Sequence, residues 1–220
     1  MSQSDQKITL YGNYRSTPSW RVRLALGLKK IDYKLISIDL FKNEQKSEEY
    51  TKVNPNQRIP ALIYGDQILI ESTAIIEFLE ENFPQHPLLP DDKIKRAQIR
   101  GFCQVINSAI HPYQNSNLVA KIEKEGNMNK TEWIKFWVTR GLTAIEELLK
   151  KHHGKYCFGD DITMADIFLV PQAQAVAERF SFDLTPFPLI LSIVNNLKDL
   201  PEFIVASPSN QPDGISQTKN

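Results

Sequence analysis

The densest group of chemically useful side chains lies near the start of the chain, in Arg15-Ser16-Thr17-Pro18-Ser19-Trp20-Arg21. Pro18 suits the first residue of a helix, where its missing N–H costs nothing and its φ is already set. Either Ser16 or Thr17 can cap that helix through its hydroxyl. A helix start gathers unpaired amides and a partial positive charge, so it stabilises an anion, and a thiolate in particular. The segment holds no cysteine, so such a thiolate would arrive on a ligand. A hydroxyl within reach would then lower the thiol's pKa by hydrogen bonding to its charged form. Ser16 and Thr17 can equally be caps and nothing more. Tyr11 and Tyr14 compete for the hydroxyl role, with strand-end packing as their alternative.

Two further features point to the same kind of ligand. Arg58-Ile59-Pro60 directly precedes a strand, a position suited to a cis proline that presents the backbone of Ile59 to an extended peptide. Glu71-Ser72 sits where a strand turns into a helix. Ser72 is a good N-cap there, neighbouring amides can bind a carboxylate, and Glu71 can take an ammonium. The plain reading of that pair is a cap and a surface charge.

The elements that must position these residues alternate in the first eighty-odd positions. Strand patterns cover Ile8 to Tyr11, Tyr33 to Ile38, Ala61 to Tyr64 and Gln67 to Ile70. Gly65-Asp66 between the last two suits a type II′ hairpin. Helical patterns run from Trp20 to Leu28, Ser47 to Val53, and Ser72 to Phe83. The order strand, helix, strand, helix, strand, strand, helix is that of a thioredoxin-like domain, with parallel first strands and an antiparallel hairpin edge. Pro84 to Pro90 carries three prolines and reads as a linker. Beyond it, helical patterns span Lys93 to Leu118 (with a break at His111-Pro112), Lys130 to Lys151, Met164 to Phe180 and Pro188 to Leu200. The expected architecture is an α/β thioredoxin-like domain over residues 1–84 and an all-α bundle over 91–220. The tail from Ser207 is expected to be mobile. Thr163 and Asp166 form a capping box, with Ile162 and Ile167 as its staple, and Pro171 is expected to kink the helix that follows.

Totals remove several classes of function. The 26 basic and 26 acidic side chains cancel, so bulk charge gives no case for nucleic acid or an anionic membrane. Two cysteines far apart, Cys103 and Cys157, exclude a disulfide framework and a Cys-x-x-Cys motif. Those cysteines, His152 and His153 read as structural or surface residues, and no metal site is expected. The polar start lacks the apolar core of a secretory signal, and no stretch has the length of a membrane span. The cytosol is the expected compartment.

Taken in order, these motifs resemble the zeta class of glutathione transferases, which includes maleylacetoacetate isomerases. The resemblance runs from Lys7 to about Asp213. Arg15 to Arg23 is similar to the class signature R-S-S-C-S-W-R-V-R. Asn54-Pro55 to Pro60 and Glu71 to Glu77 match the glutathione-binding part. Gly159 to Asp166, Leu169 to Gln172, Ala177 to Phe180 and Asp183 to Pro188 match the helical domain. The resemblance implies a glutathione transferase fold, glutathione as cofactor and a homodimer. It places Ser16 at the glutathione sulfur with Thr17 beside it, Ile59 and Pro60 at the cysteinyl backbone, and Glu71 with Ser72 at the γ-glutamyl end. His111, Gln114 and Asn115 fall where the class lines its site from the helical domain, and Arg15 and Arg179 become clamps for substrate carboxylates. An ion pair is the alternative for either arginine. The implied reaction is glutathione-dependent isomerisation of maleylacetoacetate to fumarylacetoacetate in tyrosine and phenylalanine breakdown. Conjugation or peroxide reduction, isomerisation of maleylpyruvate, and a non-catalytic binding module are the alternatives. One departure stands out: Pro18 occupies the signature's cysteine position, which removes a thiol and one amide donor.

Overall fold

The computed structural model describes residues 7–215, which divide into two units: residues up to Pro87 together with those from Leu200 onward, and Leu88–Asp199.

The first unit is built on a four-stranded sheet of β1 (Ile8–Gly12), β2 (Tyr33–Ser37), β3 (Ala61–Tyr64) and β4 (Gln67–Ile70), in spatial order β2-β1-β3-β4. β1 runs parallel to β2 and antiparallel to β3, and β3 and β4 form the expected hairpin. A φ of 62° at Gly65, with no positive φ at Asp66, fits the type II′ expectation. Helices α1 (Thr17–Leu28), α2 (Glu48–Val53) and α3 (Ser72–Asn82) complete the thioredoxin-like pattern. Leu10, Val22, Leu24, Leu26, Leu62, Ile75, Ile76 and Leu79 are fully buried and form its core.

Strand register decides where chemistry can gather. Gly12 pairs with Ser37, Tyr11 with Ala61, and Ala61 with Ile70. The end of β1, the end of β2, the start of β3 and the end of β4 therefore share one end of the sheet. The turns at that end carry Arg15–Ser16, Asp39–Gln45, Ile59–Pro60 and Glu71–Ser72.

Two features of this unit do not follow from the sequence patterns. Arg21 and Arg23 of α1 and Lys29 at its C-cap are all buried. Lys29 Nζ pairs with Glu80 Oε2 at 2.7 Å and donates to the carbonyls of Phe83 and His86. It thereby ties α1 to the end of α3 and the chain leaving it. The tail also differs. α9 (Pro201–Ala206) packs on α1, a 3₁₀ turn covers Pro208–Asn210, and α10 spans Pro212–Ile215. The expected mobile, helical-half segment is thus folded onto the sheet-bearing unit as far as Ile215, and residues 216–220 lie outside the described residues.

The second unit is helical: α4 (Lys93–Ala109), α5 (Ser116–Glu125), α6 (Lys130–His152), α7 (Met164–Phe180) and α8 (Pro188–Leu197). The first predicted helix breaks at Ile110, and a 3₁₀ turn over His111–Gln114 leads into α5. Gly141 of α6 lies so close to Ile110 that a Cβ would collide with its side chain. α7 is buried along most of its length, passes through Pro171 and packs on α4 and α8. The Thr163–Asp166 capping box is present at its start. Asp166 Oδ2 accepts from the Thr163 amide at 2.8 Å and its hydroxyl at 3.0 Å, while Oδ1 accepts from the Cys157 amide at 2.9 Å. Burial nevertheless pushes the Asp166 carboxyl up from its ordinary range, and pushes the Cys157 thiol well up.

Candidate functional site

Ser16, not Thr17, is the cap of α1. Its backbone is extended, at φ −75° and ψ 111°, and its Oγ accepts from the Ser19 amide at 3.2 Å. Pro18 is therefore not the first helical residue, as the sequence suggested, but the second, with Thr17 the first, because the cap falls at Ser16. Ser16 is buried, 9% exposed, and its O–H donates in none of the described hydrogen bonds. That proton is thus available to a sulfur placed at the helix start, alongside the amides of the first turn. Gly12 packs tightly beneath the helix, where a Cβ would sit 3.2 Å from Ser19 Cβ and Oγ.

The preceding turn is ordered by Asn13. Its Oδ1 accepts from the Arg15 amide at 3.0 Å, and its Nδ2 donates to Ile38 O at 3.1 Å. Arg15 is exposed, and its guanidinium lies over the Phe41 ring, 5.1 Å from the centroid. Phe41 belongs to a turn after β2 in which Asp39 Oδ1 accepts from the amides of Phe41 and Lys42. Those bonds help to hold the Asp39 carboxyl below its ordinary range. Tyr11 packs against Tyr50 with the rings tilted by 57° and their centroids 5.8 Å apart, which is the packing alternative for that residue.

Ile59–Pro60 is a cis peptide bond. The carbonyl just before it, Arg58 O, is held twice, by Tyr50 Oη at 2.7 Å and by Asn54 Nδ2 at 2.7 Å. Burial raises the Tyr50 hydroxyl's pKa far above its usual value, so it remains a donor. The backbone carrying Ile59 is therefore fixed before any ligand arrives.

At the third turn the structure corrects the expected cap. Glu71 is the capping residue of α3, without a side-chain cap bond, and Ser72 is the first helical residue, buried. Glu71 adopts φ 69° and ψ 117°, an uncommon backbone for a side chain with a Cβ. Its Oε1 accepts from Asn56 Nδ2 at 3.3 Å. The first group of predicted residues thus gathers at one end of one sheet.

The helical unit holds the others in two places. His111 and Gln114 lie in the 3₁₀ turn before α5, and Asn115 caps α5, its Oδ1 accepting from the Asn117 amide at 3.2 Å. Gln114 Oε1 is buried without a described partner. Arg179 is exposed in the last turn of α7, a separate element. Two surface depressions of this unit run along α6 beside Trp133, Phe136 and Arg140 and contain none of the predicted residues.

Sequence reading missed the residues behind the site. Tyr50 and Asn13 lie in patterns that read only as short helix and loop, and Asn54, within a matched motif, was given no role of its own. Gln45, in the 3₁₀ turn after β2, is buried with its Oε1 unpartnered among the described residues. It sits in a charged run that resembles any solvated loop, so its sequence carries no signal. Among the described residues, no group of His, Cys, Asp or Glu could hold a metal ion, and no helix is long and apolar enough to cross a membrane.

Comparison with known proteins gives concordant matches. Residues 10–87 match the family "Glutathione S-transferase, N-terminal domain" and residues 110–204 match "Glutathione S-transferase, C-terminal domain". The chain is 47% identical over 214 residues to a probable maleylacetoacetate isomerase 2 of Drosophila melanogaster, covering 96% of this chain and 92% of that protein. It is 43% identical over 209 residues to the maleylacetoacetate isomerase of Mus musculus, covering 94% and 95%. Among solved structures, a bacterial maleylpyruvate isomerase described as a zeta-class glutathione transferase superposes with a TM-score of 0.89 at 38% identity, covering 93% of this chain and 99% of that one. A maleylacetoacetate isomerase from Anaeromyxobacter dehalogenans with bound glutathione gives 0.88 at 35% identity, covering 95% and 98%.

Proposed function

The chain belongs to the zeta class of the glutathione S-transferase family, and on that premise we propose that it is a glutathione-dependent cis–trans isomerase converting maleylacetoacetate to fumarylacetoacetate in tyrosine and phenylalanine breakdown. The observation that carries this reading is the strand register, which brings Ser16, Ile59–Pro60 and Glu71–Ser72 to one end of one sheet.

These residues fit an extended tripeptide bearing a thiol, a free amine and carboxylates. Ser16 would donate to the sulfur while still capping α1, with Thr17 alongside. The Ile59 backbone, pre-set through Arg58 O, would hold the cysteinyl unit. Glu71 would take the ammonium, and the start of α3 at Ser72 the adjoining carboxylate. Gln45 offers a buried acceptor at the same end of the sheet. When bound, glutathione supplies a thiolate able to add reversibly to an activated double bond, which frees that bond to rotate. The protein's part is to keep the thiol deprotonated, to fix the substrate's carboxylates through Arg15 and Arg179, and to line the site with His111, Gln114 and Asn115. None of this needs a protein cysteine at position 18.

Ser16→Ala tests the reading. Glutathione should still bind, while isomerisation falls by about one to two orders of magnitude. Unchanged turnover would contradict the assignment. Maleylpyruvate is a second candidate substrate, favoured by the likeness to the solved maleylpyruvate isomerase, and competition between the two substrates discriminates them. The reading also takes the protein as a cytosolic homodimer, supported by the class resemblance. Light scattering should give twice the chain's mass.

A further inference from the structure

The turn from Asn13 to Ser16 is held by residues remote in sequence. Within it, Ser16 N donates to Asn13 O at 3.1 Å and Arg15 N to Asn13 Oδ1 at 3.0 Å. The remaining amide, Tyr14 N, donates to Asp213 Oδ2 at 3.0 Å, and the Ser37 hydroxyl donates to the same oxygen at 2.6 Å. The turn's carbonyls are taken by Arg23, whose Nη1 reaches Asn13 O at 3.2 Å and Nη2 reaches Tyr14 O at 3.5 Å. Arg23 Nε donates in turn to Ala206 O at 3.0 Å, at the end of α9. Burial lowers the Arg23 pKa to about 10, against the opposing influence of Tyr33 and Asp213. The tail itself presses on the turn: a Cβ at Gly214 would collide with the Pro208 carbonyl and lie 3.2 Å from the Tyr14 ring.

We infer that Asp213 is a positioning residue for the thiol site, fixing through the Tyr14 amide the turn that carries Arg15 and Ser16. The inference rests on the proposed role of Ser16. A hydroxyl lowers a thiol's pKa only at hydrogen-bond distance, so a turn free to move by even half an ångström loses much of the effect. Asp213 supplies the one amide contact of this turn that the turn cannot make for itself. It belongs to the last described helix of the chain, about two hundred residues from the site it steadies.

The test titrates the thiol of glutathione bound to the whole protein, read by thiolate absorbance, with glutathione affinity and melting temperature measured alongside. In the wild type the bound thiol should titrate below free glutathione. Asp213→Ala should raise its pKa by about one unit, a tenfold loss of thiolate at pH values below the bound thiol's pKa, with affinity changed less than about threefold. Asp213→Asn retains an acceptor and should recover most of the shift. Ser37→Ala, at an exposed position, should move the thiol in the same direction by about 0.3 units; it decides the matter if Asp213→Ala does not fold. A bound-thiol pKa that stays at the wild-type value overturns the inference, whatever happens to the melting temperature. A wild type that does not lower the thiol's pKa overturns the role of Ser16 and the inference with it, so the two failures are distinguishable.

Discussion

At Ser16 a single oxygen serves both the helix and the proposed sulfur contact, because it accepts from the Ser19 amide and keeps a proton to donate. That economy explains why Pro18 is tolerated in this segment: proline needs no amide in the first turn, and the cap lies two residues earlier. At Ile59 the relevant interactions are one step removed, in the two donors on Arg58 O. Tyr50→Phe removes one donor and leaves Asn54, so the loss should be about 1 kcal/mol, or roughly fivefold in glutathione affinity. Calorimetry should show that weakening with kcat nearly unchanged; a fall in kcat at constant affinity would contradict the positioning role of Tyr50. Ser16, Ile59 and Glu71 were visible in the sequence because each adjoins a proline or a strand-to-helix switch. Tyr50 and Gln45 were not, since a tyrosine in a short polar helix and an amide in a charged run carry no pattern that marks them as buried.

Among elements, α1 shows how charged residues can be core. Lys29 is buried against Glu80 and two carbonyls, and this arrangement joins α1 to α3 across the unit that carries the site. Lys29→Met leaves Glu80 buried without its cation and should cost about 3–5 kcal/mol in urea unfolding, whereas Lys29→Met with Glu80→Leu should recover most of that. A single variant as stable as wild type would contradict a structural role for the pair. The β3–β4 hairpin was legible to its ends, because Gly65-Asp66 separates two short alternating runs and Gly65 takes the required positive φ. α7 was legible too, from Thr163 with Asp166 and the apolar run behind them. The buried face of α1 was not legible, since arginine spacing alone cannot reveal carbonyl partners at Asn13 and Ala206. The tail failed for a related reason. Its Pro, Ser and Gly content reads as disorder, but its contacts are with residues two hundred positions earlier.

For the whole molecule, the division into two units sets which parts of the account stand on one rigid frame. The sheet-bearing unit contains every residue assigned to glutathione except His111, Gln114 and Asn115, and the chain's own tail closes back onto it. Those three residues lie in the helical unit, in and just after the 3₁₀ turn that packs on α4, α5 and α6, and Arg179 lies there too, in the last turn of α7. The second substrate is the property least fixed by fold. The central claim is a glutathione-dependent isomerisation, and the most direct measurement follows the absorbance of maleylacetoacetate with the wild-type protein, with and without glutathione. The account predicts conversion to fumarylacetoacetate only when glutathione is present, saturating with its concentration and leaving its amount unchanged. Conversion at the same rate without glutathione, or none with glutathione bound, would contradict it.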